Sequence, residues 1–300
     1  MKFRYYYLFV FFTLLFLFYP GDSLYIKIFS YNRDLFTRAT TYTPPKKYEI
    51  PTAKQAPPPV VTADATYIID LQSFSPIYGK NEKKQLFPAS TTKILTALVA
   101  LDVYKPDDVV TIKRTITEGQ VMGLTVGEKI SIENLLYGML VHSGNDAAYA
   151  VADAYGYDQF IARMNEKAQN IGMRSSKFKN PAGLDDPNQL SSAFDLALAS
   201  RELLNNKLLR KIVGTKEITI SDEDYKVFHR LTNVNRLLGE VEGIGGLKTG
   251  YTESAGENLV SFYKHNNHNL LIVVLKSQDR FTDTKTIVKW IDDNVRYIPL

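Results

Sequence analysis

Strand-like segments stand at both ends of the foldable part of this chain, and helical segments fill its middle, which limits the architectures open to it. Thr66–Leu71 reads as a strand, and Ser75–Gly79 as its turn and return. The segment from Thr91 to about Val103 carries Ile94, Leu95, Ala97, Leu98, Val99 and Leu101, so it reads as a central, buried helix. Asp108–Lys113 and Glu128–Ser131 are short strands. Helices follow at Ile132–Val141, Asp146–Tyr155 and Asp158–Ile171, with Gly172 placed to end the last. Ser192–Leu204 and Lys207–Val213 are two more. The pattern then returns to strands at Glu217–Ile220, Tyr225–Leu231, Gly246–Tyr251, Asn258–Lys264 and Leu270–Lys276. The turn His265-Asn266-Asn267-His268 makes the last two a hairpin, and a helix at Asp283–Val295 closes the chain. The pattern predicts an α+β fold: an antiparallel sheet of about five strands, built from both termini and flanked by helices, with an all-helical subdomain.

The N-terminus sets where such a body works. Lys2 and Arg4 precede an unbroken apolar run from Tyr5 to Tyr19, with only Thr13 as a mild polar interruption. A charged start followed by an apolar stretch directs export. No small-residue cleavage site of the usual form follows, so residues 1–21 read as an uncleaved membrane anchor, with a cleaved signal segment as the alternative. Basic residues at that end place the body outside the membrane. Residues 22–62 hold Pro44, Pro45, Pro51, Pro57, Pro58 and Pro59 with lysines between them, and read as an extended, solvated stalk. The folded body is expected over residues 63–300. The net charge of +4 comes without a dense basic block, so no nucleic-acid partner is expected. There are no cysteines, which excludes disulfides and thiolate metal sites. The histidines His142, His229, His265 and His268 show no ligand spacing, and no metal or organic cofactor is expected.

Three short motifs carry the chemistry: Ser90-Thr91-Thr92-Lys93, Ser143-Gly144-Asn145 and Lys248-Thr249-Gly250, in that order. Each is weak alone. Ser176-Lys177-Phe178-Lys179 repeats the first pattern and reads as a solvated loop, and Ser30-Tyr31-Asn32 repeats the second within the stalk. Context gives the first copies their weight. Ser90 follows Pro88 and opens the apolar helix; Lys93, one turn on, shares its face on a helix with little reason to show a surface lysine. Ser143-Gly144-Asn145 sits between two helices, where a plain helix break would also explain it. Lys248-Thr249-Gly250 lies on a strand, where Gly250 lets a ligand approach the backbone.

These motifs belong to penicillin-binding proteins and β-lactamases. Phe87-Pro88-Ala89-Ser90-Thr91-Thr92-Lys93-Ile94-Leu95-Thr96-Ala97 closely resembles the active-site segment of D-alanyl-D-alanine carboxypeptidases, the low-molecular-mass penicillin-binding proteins. So do Ser143-Gly144-Asn145-Asp146-Ala147-Ala148, Asn180-Pro181-Ala182-Gly183-Leu184, and Lys248-Thr249-Gly250-Tyr251-Thr252 followed by Ala255-Gly256. The resemblance implies a β-lactamase/transpeptidase-like fold and a serine peptidase acting on peptidoglycan stem peptides, with β-lactams as covalent inhibitors. It implies that Ser90 is the nucleophile, Lys93 its base and Ser143 a proton relay. Asn145 would hold the substrate amide, Lys248 and Thr249 the terminal carboxylate, and Gly250 would line the strand. The N–H groups of Ser90 and Tyr251 would form the oxyanion hole. Better-known members carry a second, β-rich domain and a C-terminal anchor; here the expectation is one body with an N-terminal anchor, in the bacterial cell envelope and contributing to cell shape.

Rival readings within this chemistry remain open. A D,D-endopeptidase would cut cross-links with the same groups, and a β-lactam sensor would acylate and stall. A class A β-lactamase needs a deacylating glutamate; Glu202-Leu203-Leu204-Asn205 is the nearest segment and is one residue short.

Overall fold

The apolar run after Lys2 and Arg4 forms a helix, α1 (Lys2–Phe18), in the computed structural model, which describes residues 2–18, 49–53 and 56–299. The chain divides into two compact units, Met1–Tyr48 and Glu49–Leu300. Among the described residues, no helix is long and apolar enough to cross a membrane. At ~1.5 Å per residue, α1 reaches roughly 26 Å, against a hydrocarbon core of ~30 Å. The expected anchor ran on to residue 21, and residues 19–21 lie outside the described ones, as do residues 22–48 and 54–55 of the expected stalk.

The second unit opens with three strands, β1 (Glu49–Ala53), β2 (Ala65–Asp70) and β3 (Pro76–Lys80). A short 3-10 helix at Ala89–Thr92 leads into α2 (Lys93–Val103). The middle of the chain holds β4 (Val109–Thr111), β5 (Lys129–Ser131), α3 (Ile132–Leu140), α4 (Asn145–Tyr155), α5 (Tyr157–Asn170), α6 (Ala193–Asn205) and α7 (Lys207–Val213). The last third holds β6 (Glu217–Ser221), β7 (Phe228–Thr232), β8 (Ile244–Thr252), β9 (Gly256–His265), β10 (His268–Ser277), α8 (Arg280–Asn294) and β11 (Val295–Pro299). The main sheet is five-stranded, in the order β3-β2-β10-β9-β8, and every neighbouring pair is antiparallel. This is the expected α+β arrangement, with the N-terminal hairpin paired against the C-terminal strands.

Period-two alternation sorts the sheet's side chains between two cores. Tyr67 and Ile69 of β2, and Leu271, Val273 and Leu275 of β10, face the helical lobe. Ile68, Leu270, Ile272 and Val274 point the other way, onto Ile287, Val288 and Ile291 of α8. With both faces covered, β2 is buried along its whole length. The first eight residues of α2, Lys93–Ala100, are also all buried, so this helix runs through the lobe rather than over it. Each fully buried large aliphatic side chain adds roughly 1.5–3 kcal/mol.

Residues 49–53, within the stretch expected to be solvated stalk, form a strand against the C-terminus: β1 pairs with β11 from Glu49↔Pro299 to Ala53↔Val295. Pro51 is tolerated because the pair is a two-stranded ribbon with outer edges. Trp290 Nε1 donates to Pro57 O at 2.9 Å. Asp283, buried at the start of α8, accepts from Thr62 N, Thr62 Oγ1, Ala63 N and Ser277 Oγ at 2.9, 2.8, 2.9 and 2.6 Å. One carboxylate thus ties the entry of the chain to the end of the central strand. Asp283→Ala strands these donors, and urea unfolding should show a loss of about 2–4 kcal/mol.

Candidate active site

The segment Phe87–Ser90 reaches the sheet because β9 offers it a buried amide. Asn258 Nδ2 donates to Phe87 O at 2.9 Å and Pro88 O at 3.0 Å, while Asn258 Oδ1 accepts from Lys276 N at 2.8 Å. Gly250 on β8 backs onto the same segment; a Cβ there would stand 3.0 Å from Ser90 N and 3.1 Å from Pro88 O. The turn that delivers Ser90 is held away from relaxed geometry, with Ala89 at φ 46°. Ser90 lies within the 3-10 turn Ala89–Thr92, and its hydroxyl faces the amine of Lys93.

Lys93 is fully buried and its amine has three partners. Nζ lies 2.9 Å from Ser90 Oγ, 2.6 Å from Asn145 Oδ1 and 2.9 Å from Ala182 O. The Asn145 amide can be oriented only one way, since its Nδ2 donates to Glu118 O at 2.8 Å. Two partners of the amine are therefore pure acceptors, and only Ser90 can donate to it. A neutral amine has two N–H bonds and one lone pair, so it satisfies all three at once, with the lone pair on the Ser90 hydroxyl. Burial pushes Lys93 down to about 7, against the opposing pull of Asp146.

A second serine–lysine pair stands beside the first. Lys248 Nζ, also buried, donates to Ser143 Oγ at 2.8 Å and to Thr249 O at 2.9 Å. Burial holds Lys248 well below its ordinary value, and repulsion from Lys93 and Arg280 adds to this. Ser143 is held in the left-handed region, φ 65°. Ser90, Ser143, Asn145, Thr249, Gly250 and Tyr251 line one cleft of about 750 Å³. Lys93 and Lys248 reach it through the serines they touch. All eight residues expected at the site from sequence are thus brought together.

Further residues complete it: the Asn180–Leu184 segment, already noted in the sequence, and Arg280, which sequence reasoning did not single out. The Asn180–Leu184 loop presents Ala182 O to Lys93; Asn180 Oδ1 fixes the loop by accepting from the N–H groups of Ala182, Gly183 and Leu184 at 3.2, 2.8 and 3.0 Å. Arg280 lines the cleft and donates from Nη1 to Gly250 O at 2.8 Å, adding a cation behind the strand. The repeated motifs behave otherwise. Ser176 is not part of a solvated loop: its Oγ lies 2.7 Å from Asp195 Oδ2 and 2.8 Å from Ser191 Oγ, so it braces the turn before α6. Ser30-Tyr31-Asn32 lies outside the described residues. Glu202 is exposed on α6 and does not line the cleft.

Residues 52–279 match the D-alanyl-D-alanine carboxypeptidase family. The chain belongs to that family. The D-alanyl-D-alanine carboxypeptidase DacF of Bacillus subtilis is 34% identical over 242 residues, which is 77% of this chain and 61% of that protein. DacD of Escherichia coli is 31% identical, over 79% of this chain and 65% of its own length. The chain spans a little under two thirds of the length of these relatives. Among solved structures, a penicillin-binding protein homologue from Mycobacterium tuberculosis superposes with a TM-score of 0.75 at 29% identity, over 80% of this chain and 95% of that one. A Streptomyces DD-transpeptidase does so with a TM-score of 0.73 at 28% identity, over 78% and 98%.

Within this family member, Gly183 shows how closely the parts of the site are fitted. Its φ is +89°, and an added Cβ would fall 1.8 Å from Ala89 O. Gly172 has a similar φ of +88°, but its nearest neighbour would be Leu198 Cδ1 at 3.7 Å. Gly183→Ala should therefore cost about 2–4 kcal/mol in urea unfolding, and Gly172→Ala only about 1 kcal/mol.

Proposed function

We propose that this chain is a serine-type D-alanyl-D-alanine carboxypeptidase, removing the terminal D-alanine of peptidoglycan stem peptides through a Ser90 acyl-enzyme. The observation that carries this reading is the set of partners around Lys93, which suits a neutral amine accepting from Ser90. Family membership supplies the substrate class. Ser90 Oγ attacks the carbonyl of the penultimate D-alanine as its proton passes to Lys93. The oxyanion is met by the N–H groups of Ser90 and Tyr251. The C–N bond then breaks, and the departing D-alanine takes a proton by way of Ser143. Water, giving its proton to Lys93, releases the shortened peptide and restores Ser90.

Asn145 holds the substrate amide, and Gly250 lets the Pro88–Ser90 segment close against β8, so that the nucleophile stands beside the strand along which substrate lies. Lys248, Thr249 and Arg280 receive the terminal carboxylate. That anion offsets the repulsion and burial that hold Lys248 below its ordinary value, so substrate binding itself favours the ammonium. β-Lactams, which present a carbonyl and a carboxylate in the same relation, acylate Ser90. The charged and apolar N-terminus supports export and retention at the cytoplasmic membrane, with the catalytic body, which includes β1 and so begins by residue 49 rather than 63, outside it in the bacterial cell envelope.

The test is release of free D-alanine from a pentapeptide, read beside labelling by a fluorescent penicillin. Ser90→Ala should abolish both. Lys93→Ala should slow acylation by about a thousandfold or more without unfolding the protein. Because only neutral Lys93 accepts a proton, the acylation rate should rise about tenfold per pH unit below neutrality and level off above about 7. Cleavage of a cross-linked dimer but not of the pentapeptide would point to an endopeptidase. A stable adduct without D-alanine release would point to a sensor. Labelling retained in Ser90→Ala would refute the site.

A further inference from the structure

We propose that Asp146 is a positioning residue: its buried carboxylate holds the cleft wall that grips Asn145, and through Asn145 it holds Lys93 against Ser90. This role rests on the acyl-enzyme reading above. Asp146 is 4% exposed, and among the described residues it forms no ion pair. Its partners are backbone N–H groups instead. Oδ1 accepts from Met122 N at 3.0 Å and from Ala147 N at 2.9 Å; Oδ2 accepts from Gly123 N at 2.8 Å and Leu124 N at 3.0 Å. Three successive amides of one loop thus converge on one side chain.

The same loop holds Asn145 from its other end. Asn145 N donates to Gln120 O at 2.7 Å and Asn145 Nδ2 to Glu118 O at 2.8 Å. Segment 118–124 and residues 145–146 are therefore joined by five hydrogen bonds, two donated by Asn145 and three accepted by Asp146. Glu118, Gly119 and Gln120 form the cleft wall built from this segment. The fit is close enough to explain a motif residue: a Cβ on Gly144 would stand 2.8 Å from Asp146 Oδ1 and 3.3 Å from Met122 N. Without the carboxylate, three amides lose their acceptor, the wall loosens, and Asn145 loses the anchor that keeps its oxygen on Lys93.

The charge has a second effect. The ionisable groups around Lys93 and its cleft are Asp146 next to Asn145 on α4, Lys248 on β8, Arg280 at the start of α8, and Glu118, Asp185, Tyr251 and Glu253 lining the cleft. Asp146 is the group that favours the Lys93 ammonium, while burial disfavours it. The carboxylate thus offsets part of the effect of burial, and removing it leaves Lys93 a weaker base.

The test measures the acylation rate of the full chain by a fluorescent penicillin against pH, with hydrogen exchange of segment 118–124. Asp146→Asn puts an N–H where an acceptor is needed. Its rate should fall about tenfold, its acid limb should move to lower pH, and Met122–Leu124 should exchange faster than in the wild type. Asp146→Glu keeps the charge on a longer arm, so its rate should fall with the limb unmoved. Asp283→Asn, a buried carboxylate clamp on the far core, should lose stability without moving the limb. A wild-type rate and limb in Asp146→Asn would overturn the proposal, as would the same limb shift in Asp283→Asn. Should Asp146→Asn fail to fold, Asp146→Glu decides: an unchanged rate and unchanged exchange overturn the proposal. A wild-type chain that forms no adduct at Ser90 would instead remove the acyl-enzyme reading on which it rests.

Discussion

The site depends on burying one amine among two acceptors and one hydroxyl. An ammonium taken out of water loses several kcal/mol of hydration, and the fold answers by lowering its proton affinity rather than by pairing it directly with a carboxylate. Lys93 descends from the usual 10.5 to about 7, a difference of roughly 4–5 kcal/mol. The sign follows from proton counting. Between those two values the unfolded chain binds more protons than the folded one, so this penalty shrinks as pH rises through that window. A base suited to neutral pH is thus held at the expense of stability, and the large cores on both faces of the sheet supply the difference.

The two lysines divide the work because their surroundings differ. Lys93 faces Asn145 Oδ1 and Ala182 O with its donors and Ser90 with its lone pair. Lys248 faces Ser143 and its own strand, with Arg280 near by and no carboxylate among the influences on it. The first is complete without substrate; the second gains most from an incoming anion. Two residues of the site, Ala89 and Ser143, hold positive φ without being glycine.

The sequence made the fold legible where periodicity was long. Every strand of the main sheet, and α2 through α8, fell within a few residues of expectation, because the unbroken apolar run Leu270–Leu275 on β10 and the apolar length of α2 leave little choice. The β1–β11 ribbon was hidden by the prolines around it, which read as stalk, and by a helix expected to run to Val295. At the site, Ser90 and Lys93 were legible because they lie one turn apart. Asn145 and the Asn180–Leu184 segment were legible as motifs, but their contacts with Lys93 were not: Asn145 and Ala182 reach it across 52 and 89 residues of chain. Asn258 is one of several polar residues on β9, so nothing in the sequence marks it out. The segment 118–124 has no periodic pattern, and its hold on Asp146 exists only in three dimensions.

The central claim is that Lys93 stands neutral beside Ser90 near physiological pH. A heteronuclear NMR titration of the Lys93 side-chain amine, in protein labelled at lysine, measures this directly. A midpoint close to 7 is the predicted result; a midpoint near the 10.5 of an ordinary lysine would show that burial does not prepare the base, and would contradict the account.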